Sequence, residues 1–107
     1  MKSSKYLLVF VTSPDEKTTQ KILKTLLKEK IISSAQISQS IKSYYWWNNK
    51  IEKKTETLMT MTTLEKNFKI LEEQIRLLHP YKVPQIISVS IFNANKDYLK
   101  WINQYCN

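Results

Sequence analysis

The apolar positions of this chain change their period repeatedly, and each change marks an element. Residues 5–12 (KYLLVFVT) run almost continuously apolar, which suits a central strand buried on both faces. Ser13-Pro14-Asp15-Glu16 then reads as a helix start, with Ser13 as the N-cap, Pro14 in the first helical position and Glu16 completing a capping box. The helix extends to about Lys30. Ile22, Leu23, Leu26 and Leu27 form its apolar face, and Lys17, Lys21, Lys24 and Lys28 line the side turned to solvent. From Ile31 the period becomes two. Ala35, Ile37, Gln39, Ile41, Ser43, Tyr45 and Trp47 have the same parity and are expected on one face of a strand.

Asn48-Asn49 is a turn signal, because asparagine tolerates positive φ. Residues 51–62 then alternate again, with Ile51, Thr55, Thr57, Met59 and Met61 set against Glu52, Lys54, Glu56 and Leu58. The two runs make one hairpin with arms near 50 Å, from about 15 residues at roughly 3.3 Å each. A compact chain of this size has a radius of gyration of only about 13 Å. The hairpin must therefore bend or project. A projecting tip bearing Tyr44, Tyr45, Trp46 and Trp47 is a large apolar patch with open strand edges, and it predicts a homo-oligomer sealed by the hairpin.

A second helix is expected after Thr62 or Thr63, with Glu65 placed for a capping box on Thr62. Leu64, Phe68, Leu71, Ile75 and Leu78 make its core stripe. His79-Pro80-Tyr81-Lys82-Val83-Pro84 ends it. Two X-Pro steps so close together push the preceding residues toward extended conformations and set a stiff corner that holds the one histidine of the chain. Residues 85–92 read as a strand with Ile87, Val89 and Ile91 on one face. Asn95 is placed to cap a last helix, with Asp97 in its first turn and Tyr98, Leu99, Trp101, Ile102 and Tyr105 packing. The order is an α+β, ferredoxin-like βαββαβ pattern plus a C-terminal helix, with an antiparallel sheet and both main helices on one face.

At 107 residues the chain is long enough for one domain, residues 1–107, and one core. Its apolar runs are too short to cross a bilayer, and the opening residues leave no room for a targeting segment, so a cytoplasmic location is expected. Cys106 is the one cysteine, which excludes an intramolecular disulfide and any cysteine-pair metal site; a free, exposed thiol is expected. The net charge is +8, but Arg76 is the one arginine among 17 basic residues, and a lysine excess of this kind reads as a solvated surface. Glycine is absent, which removes every phosphate loop that depends on it.

The strings Val9-Phe10-Val11-Thr12-Ser13-Pro14-Asp15-Glu16, Ser43-Tyr44-Tyr45-Trp46-Trp47, Leu78-His79-Pro80-Tyr81-Lys82-Val83-Pro84 and Tyr98-Leu99-Lys100-Trp101, with Glu56 between them, resemble the CutA family. These are small trimeric proteins linked to divalent-cation tolerance, and the similarity runs from about Lys5 to Trp101. It implies a ferredoxin-like subunit, a homotrimer and an architecture like that of PII-type signalling proteins. Several positions depart from the family pattern. Val11 and Ser34 stand where members carry cysteine, Leu78 where some carry a further histidine, Gln85 where glutamate is common, Thr62 where lysine is common, and Gln39-Ser40 where Pro-Gly is usual.

His79 is the remaining candidate metal ligand, for Cu(II) or Zn(II), with a three-fold partner or a carboxylate such as Glu56; the alternative is that it ends the helix and hydrogen-bonds across an interface. Tyr45, Trp47, Lys50, Glu56 and Tyr81 are candidates for lining an inter-subunit pocket for a small anionic ligand. The alternative there is aromatic packing at a trimer seam, with Lys50 and Glu56 in cross-strand charge pairing. No required cofactor is implied. The chain holds no nucleophile–base spacing or cofactor loop, and Arg76 falls inside a helix rather than in a phosphate-cradling loop, so an enzyme is not expected. Single-stranded nucleic-acid binding is the competing class, since aromatics flanked by Lys42, Lys50, Lys53 and Lys54 are suitable. The RNA-recognition signature, however, needs glycine between its aromatics.

Overall fold

The computed structural model describes residues 5–107. The chain runs β1 (Tyr6–Ser13), α1 (Glu16–Lys28), β2 (Ser34–Trp47), β3 (Lys50–Leu64), a 3-10 turn (Glu65–Asn67), α2 (Phe68–Leu78), β4 (Ile86–Ser90) and α3 (Lys96–Tyr105). The four strands form one sheet in the order β2-β3-β1-β4, with every neighbouring pair antiparallel. This is the ferredoxin-like arrangement with a terminal helix that the hydrophobic pattern predicts.

Alternation along β1 decides which face is core. Leu7, Val9 and Val11 are buried, and they meet Ile22, Leu23 and Leu26 of α1, Leu71 and Ile75 of α2, and Met59 and Met61 of β3 in one cluster. Both main helices therefore cover the same side. Leu8 and Phe10 point the other way and are only half-buried, so β1 is not sealed on both faces within one chain. Val89 and Ile87 of β4 pair with them, and both are exposed. Part of this open face is covered by α3, where Leu64, Ile102 and Cys106 make a second small core.

The three helix starts differ from the local expectation. Asp15, not Ser13, caps α1: its carboxylate accepts the Thr18 amide at 2.7 Å. The Ser13 hydroxyl is 2.5 Å from Thr19 Oγ1 and 2.8 Å from the Asp15 carbonyl, beneath the helix start. Thr62 and Thr63 likewise stay in β3 and cap nothing. The Thr63 hydroxyl donates to the Ile31 carbonyl at 2.6 Å, and Thr62 Oγ1 lies 2.8 Å from Ser33 Oγ and 2.7 Å from Ser34 Oγ. Leu64 ends the strand instead of opening a helix, and α2 starts at Phe68 without a side-chain cap. At α3 the expected capping residue is in place, but it is the Asn95 backbone carbonyl, not its side chain, that accepts from Tyr98 and Leu99. Cys106 is buried, with its thiol 3.8 Å from the Ile31 carbonyl, rather than exposed; burial pushes its pKa up.

The hairpin closes at Asn48 and Asn49, both at positive φ (50° and 63°), as the turn signal predicts. Its registers differ on either side of a bulge. Ser38 faces Leu58 but Ile41 faces Glu56, so β2 spends one residue more than β3 between them. Ser40, at φ 56°, absorbs the kink. The extra residue reverses parity: Ala35 and Ile37 lie opposite Met61 and Met59 on the helix side, whereas Ile41, Ser43, Tyr45 and Trp47 lie opposite Glu56, Lys54, Glu52 and Lys50 on the other. The odd positions of β2 therefore do not share one face.

Candidate functional site

The corner after α2 comes back beneath the far end of β1. His79 has extended backbone (φ −85°, ψ 133°), as a residue before proline requires, and its ring turns inward. It is buried, with Nε2 2.7 Å from the Thr12 carbonyl and Nδ1 accepting the Tyr81 amide at 3.1 Å. A backbone amide can only donate and a carbonyl can only accept. The imidazole is therefore neutral, with its proton on Nε2. Both nitrogens are occupied, so the ring offers no free lone pair to a metal ion. Among the described residues no three His, Cys, Asp or Glu side chains converge. The arrangement does not fit a resident copper or zinc ion, whose histidine ligands need an open nitrogen.

The histidine orients Tyr81, two residues on. By holding the Tyr81 amide and packing ring against ring at 4.7 Å, His79 aims the phenol across to β3. The Tyr81 hydroxyl donates to Glu56 Oε2 at 2.7 Å. Burial, then the hydrogen bond to Glu56, pushes the phenol pKa well above the ordinary tyrosine value and keeps its proton in place. Lys54, two residues back on the same face of β3, lays its ammonium 4.4 Å from the centre of the Tyr81 ring, a cation–π contact.

A cavity of about 690 Å³ opens between this corner and the outer half of the hairpin. Tyr45, Trp47, Glu56 and Tyr81 line it together. Lys50 does not line it. It sits opposite Trp47 at the hairpin tip, on the same strand as Glu56, so the two cannot pair across strands. Lys54 and Lys82 bring cations to the cavity in its place, and Thr12 and Gln85 are among its other lining residues. The period-two pattern already put Lys54 beside Glu56. Thr12 and Gln85 carried no local signal. Tyr44 and Trp46, which also border the cavity, and Ile51 are 64%, 71% and 67% exposed, with Lys53 5.7 Å over the Tyr44 ring.

A ferredoxin-like sheet with a projecting aromatic hairpin and a His-Pro-Tyr corner locked onto it defines a class of small α+β proteins built around that hairpin. The profile of the family described as "CutA1 divalent ion tolerance protein" matches residues 7–105, and the chain belongs to this family. It is 41% identical over 96 residues to a divalent-cation tolerance protein CutA of Pyrococcus horikoshii, a match that covers 90% of this chain and 93% of that one. The CutA of Thermus thermophilus is 31% identical, covering 91% and 94% of the two chains. Among solved structures, CutA1 from Thermus thermophilus superposes with a TM-score of 0.93 at 29% identity, covering 95% and 99% of the chains. CutA1 from Oryza sativa superposes with 0.94 at 28% identity, covering 98% and 96%.

Proposed function

We propose that this chain works as a cytoplasmic homotrimer in the response to divalent cations, as a scaffold or signalling protein rather than an enzyme. The observations that carry the reading are two uncovered apolar patches, Tyr44, Trp46 and Ile51 on the hairpin and Ile87 and Val89 on the open sheet face. A surface of this kind on an otherwise well-packed chain is stabilised by burial against further copies. The relatives' names supply the link to divalent cations. Among the described residues no helix is long and apolar enough to cross a membrane.

Copper enters the proposal as cargo or signal, not as a resident ion. His79 would have to give up either the Thr12 carbonyl or the Tyr81 amide to bind it. Native mass spectrometry with and without a few equivalents of Cu(II), on the wild type and on His79→Ala, tests both parts. The expected result is a trimer whose weak copper uptake does not change in the variant. A monomer would overturn the assembly. One copper per subunit, lost in His79→Ala, would make the imidazole a ligand and mean that the corner opens to bind metal.

A further inference from the structure

We propose that the outer face of the helix layer docks an acidic amphipathic helix of a partner protein, laid in the groove between α1 and α2. The inference starts from α1. Lys17, Lys21, Lys24 and Lys28 follow one another by four, three and four residues, and all are exposed. They form one line, roughly 16 Å long from the helical rise, on the side of α1 opposite Ile22, Leu23 and Leu26. The two acids of this stretch, Glu16 and Glu29, stand at its two ends. Like charges one turn apart repel each other and destabilise a helix. Among the described residues the one ion pair joins Arg76 to Glu72 on α2, so no described carboxylate pairs with the four lysines.

The second observation is the neighbouring flank of α2. The two helices follow the antiparallel strands β1 and β3 and pack on one side of the sheet, so they run antiparallel. The end of α1 and the start of α2 share a cleft of about 380 Å³, which Glu29, Ile70 and Gln74 help to line. Ile70 therefore marks the flank of α2 that faces α1. Leu77, two turns on, lies on the same flank, and the two side chains are 41% and 77% exposed. Glu73 stands between them, with Lys69 one turn away to offset it, so this flank is close to neutral. The groove has a basic rail on α1 and an apolar rail on α2. Packed helices lie about 8–10 Å apart, so a third helix set between them reaches both rails. Carboxylates at the same helical spacing meet the lysines, and leucines beside them cover Ile70 and Leu77. A nucleic-acid backbone would answer the lysines and leave the apolar rail in water. This face lies on the other side of the sheet from Ile87 and Val89. It stays open in the assembly proposed above, and loss of the trimer and loss of docking are read separately.

The test is fluorescence anisotropy of the full chain, in whatever assembly it forms, with a labelled peptide of roughly 18 residues, about five helical turns. The peptide carries glutamates spaced by four, three and four residues and leucines on the adjacent flank. The comparison probes are the same residues scrambled, a poly-dT oligomer and vesicles of phosphatidylserine and phosphatidylcholine. The patterned peptide is expected to bind at least about tenfold more tightly than the scrambled one. Lys21→Glu combined with Lys24→Glu is expected to weaken it by more than about tenfold, because like charges then face each other. Leu77→Ser is expected to weaken it by about tenfold, the range for one buried leucine. Lys100→Glu, which changes the charge on α3 instead, should leave binding unchanged. Absence of binding by the patterned peptide would overturn the proposal. So would equal binding of the scrambled peptide, tighter binding of the oligomer or the vesicles, or patterned-peptide binding that either the double lysine variant or Leu77→Ser leaves unaltered.

Discussion

The two halves of the hairpin, on either side of the Ser38/Ile41 bulge, use the same two strands to opposite ends. In the inner half Met59 and Met61 are fully buried under α1 and α2, and the polar residues beside them are bonded: Thr63 to Ile31, Thr62 to Ser33 and Ser34. In the outer half the largest side chains of the chain stand in solvent, and the one buried charge, Glu56, is held by a residue from another element. The inner half is stabilised by this chain's own core. The outer half has its geometry set by backbone pairing and by the Tyr81 corner on Glu56 and Lys54, and its exposed aromatic side chains are kept for something outside the fold. A single extra residue in β2 separates the two regimes by turning the alternation over.

The sharpest way to test that contrast is a truncation in the inner half. Met59→Ala is expected to lose about 2–5 kcal/mol in urea denaturation, because the site lies in a packed core that relaxes little. At the boundary, Ser40 adopts a φ that a non-glycine residue reaches at a cost of roughly 1–2 kcal/mol. Ser40→Gly should recover about 1 kcal/mol of that. Ser40→Val should lose a similar amount, measured the same way. If glycine fails to stabilise, the bulge is not where the two halves are divided.

A smaller effect depends on pH. The Tyr81 phenol keeps its proton to higher pH in the folded chain than in the unfolded one, because of burial and then the Glu56 hydrogen bond. Its contribution is therefore fully present below the ordinary tyrosine value near 10 and is lost as pH rises above it. Denaturation at pH 8.5 and 10.5 should show wild-type stability falling more steeply than that of Tyr81→Phe. Parallel falls would mean that the bond to Glu56 adds nothing. The smallest change is expected at the tip. Trp46→Ser should shift the stability of the isolated chain by no more than about 0.5 kcal/mol, the range for exposed positions. The same change should weaken assembly measured by sedimentation. A large loss in a dilute, monomeric sample would show that the tip supports the fold itself.

The order of elements was legible because each rests on a period that tertiary contacts reinforce. Leu71 and Ile75 on one helical face and Val9 and Val11 on one strand face are core because of spacing alone. The helix starts were misread for a shared reason. Ser13 and Thr62 have capping chemistry, but the Ser13 hydroxyl is spent on Thr19 and the Asp15 carbonyl beneath the helix, and the Thr62 hydroxyl on Ser33, 29 positions away. The face of Tyr45 and Trp47 was hidden by the bulge, since Gln39-Ser40 contains none of the glycine that normally announces positive φ. For the site, Tyr45, Trp47, Glu56 and Tyr81 could be named in advance, and Lys50 took the place that belongs to Lys54. What could not be read was that His79 is already satisfied on both nitrogens. Its partner is a backbone carbonyl 67 positions earlier, and every residue type has one.

The sheet topology also imposes an order in time. The Asn48-Asn49 turn joins β2 to β3 through neighbours in sequence, and hairpins of that kind close within about 1–10 μs. β4 pairs with β1, at Leu7 with Ser90 and Leu8 with Val89, only after nearly the whole chain has been drawn together. Such long-range pairing is slow. During folding the outer edge of β1 is the last to be covered. At high concentration that interval leaves it open to the β4 of a second chain, an exchange of strands that keeps every native contact and differs from the intended fold only in which molecule supplies them.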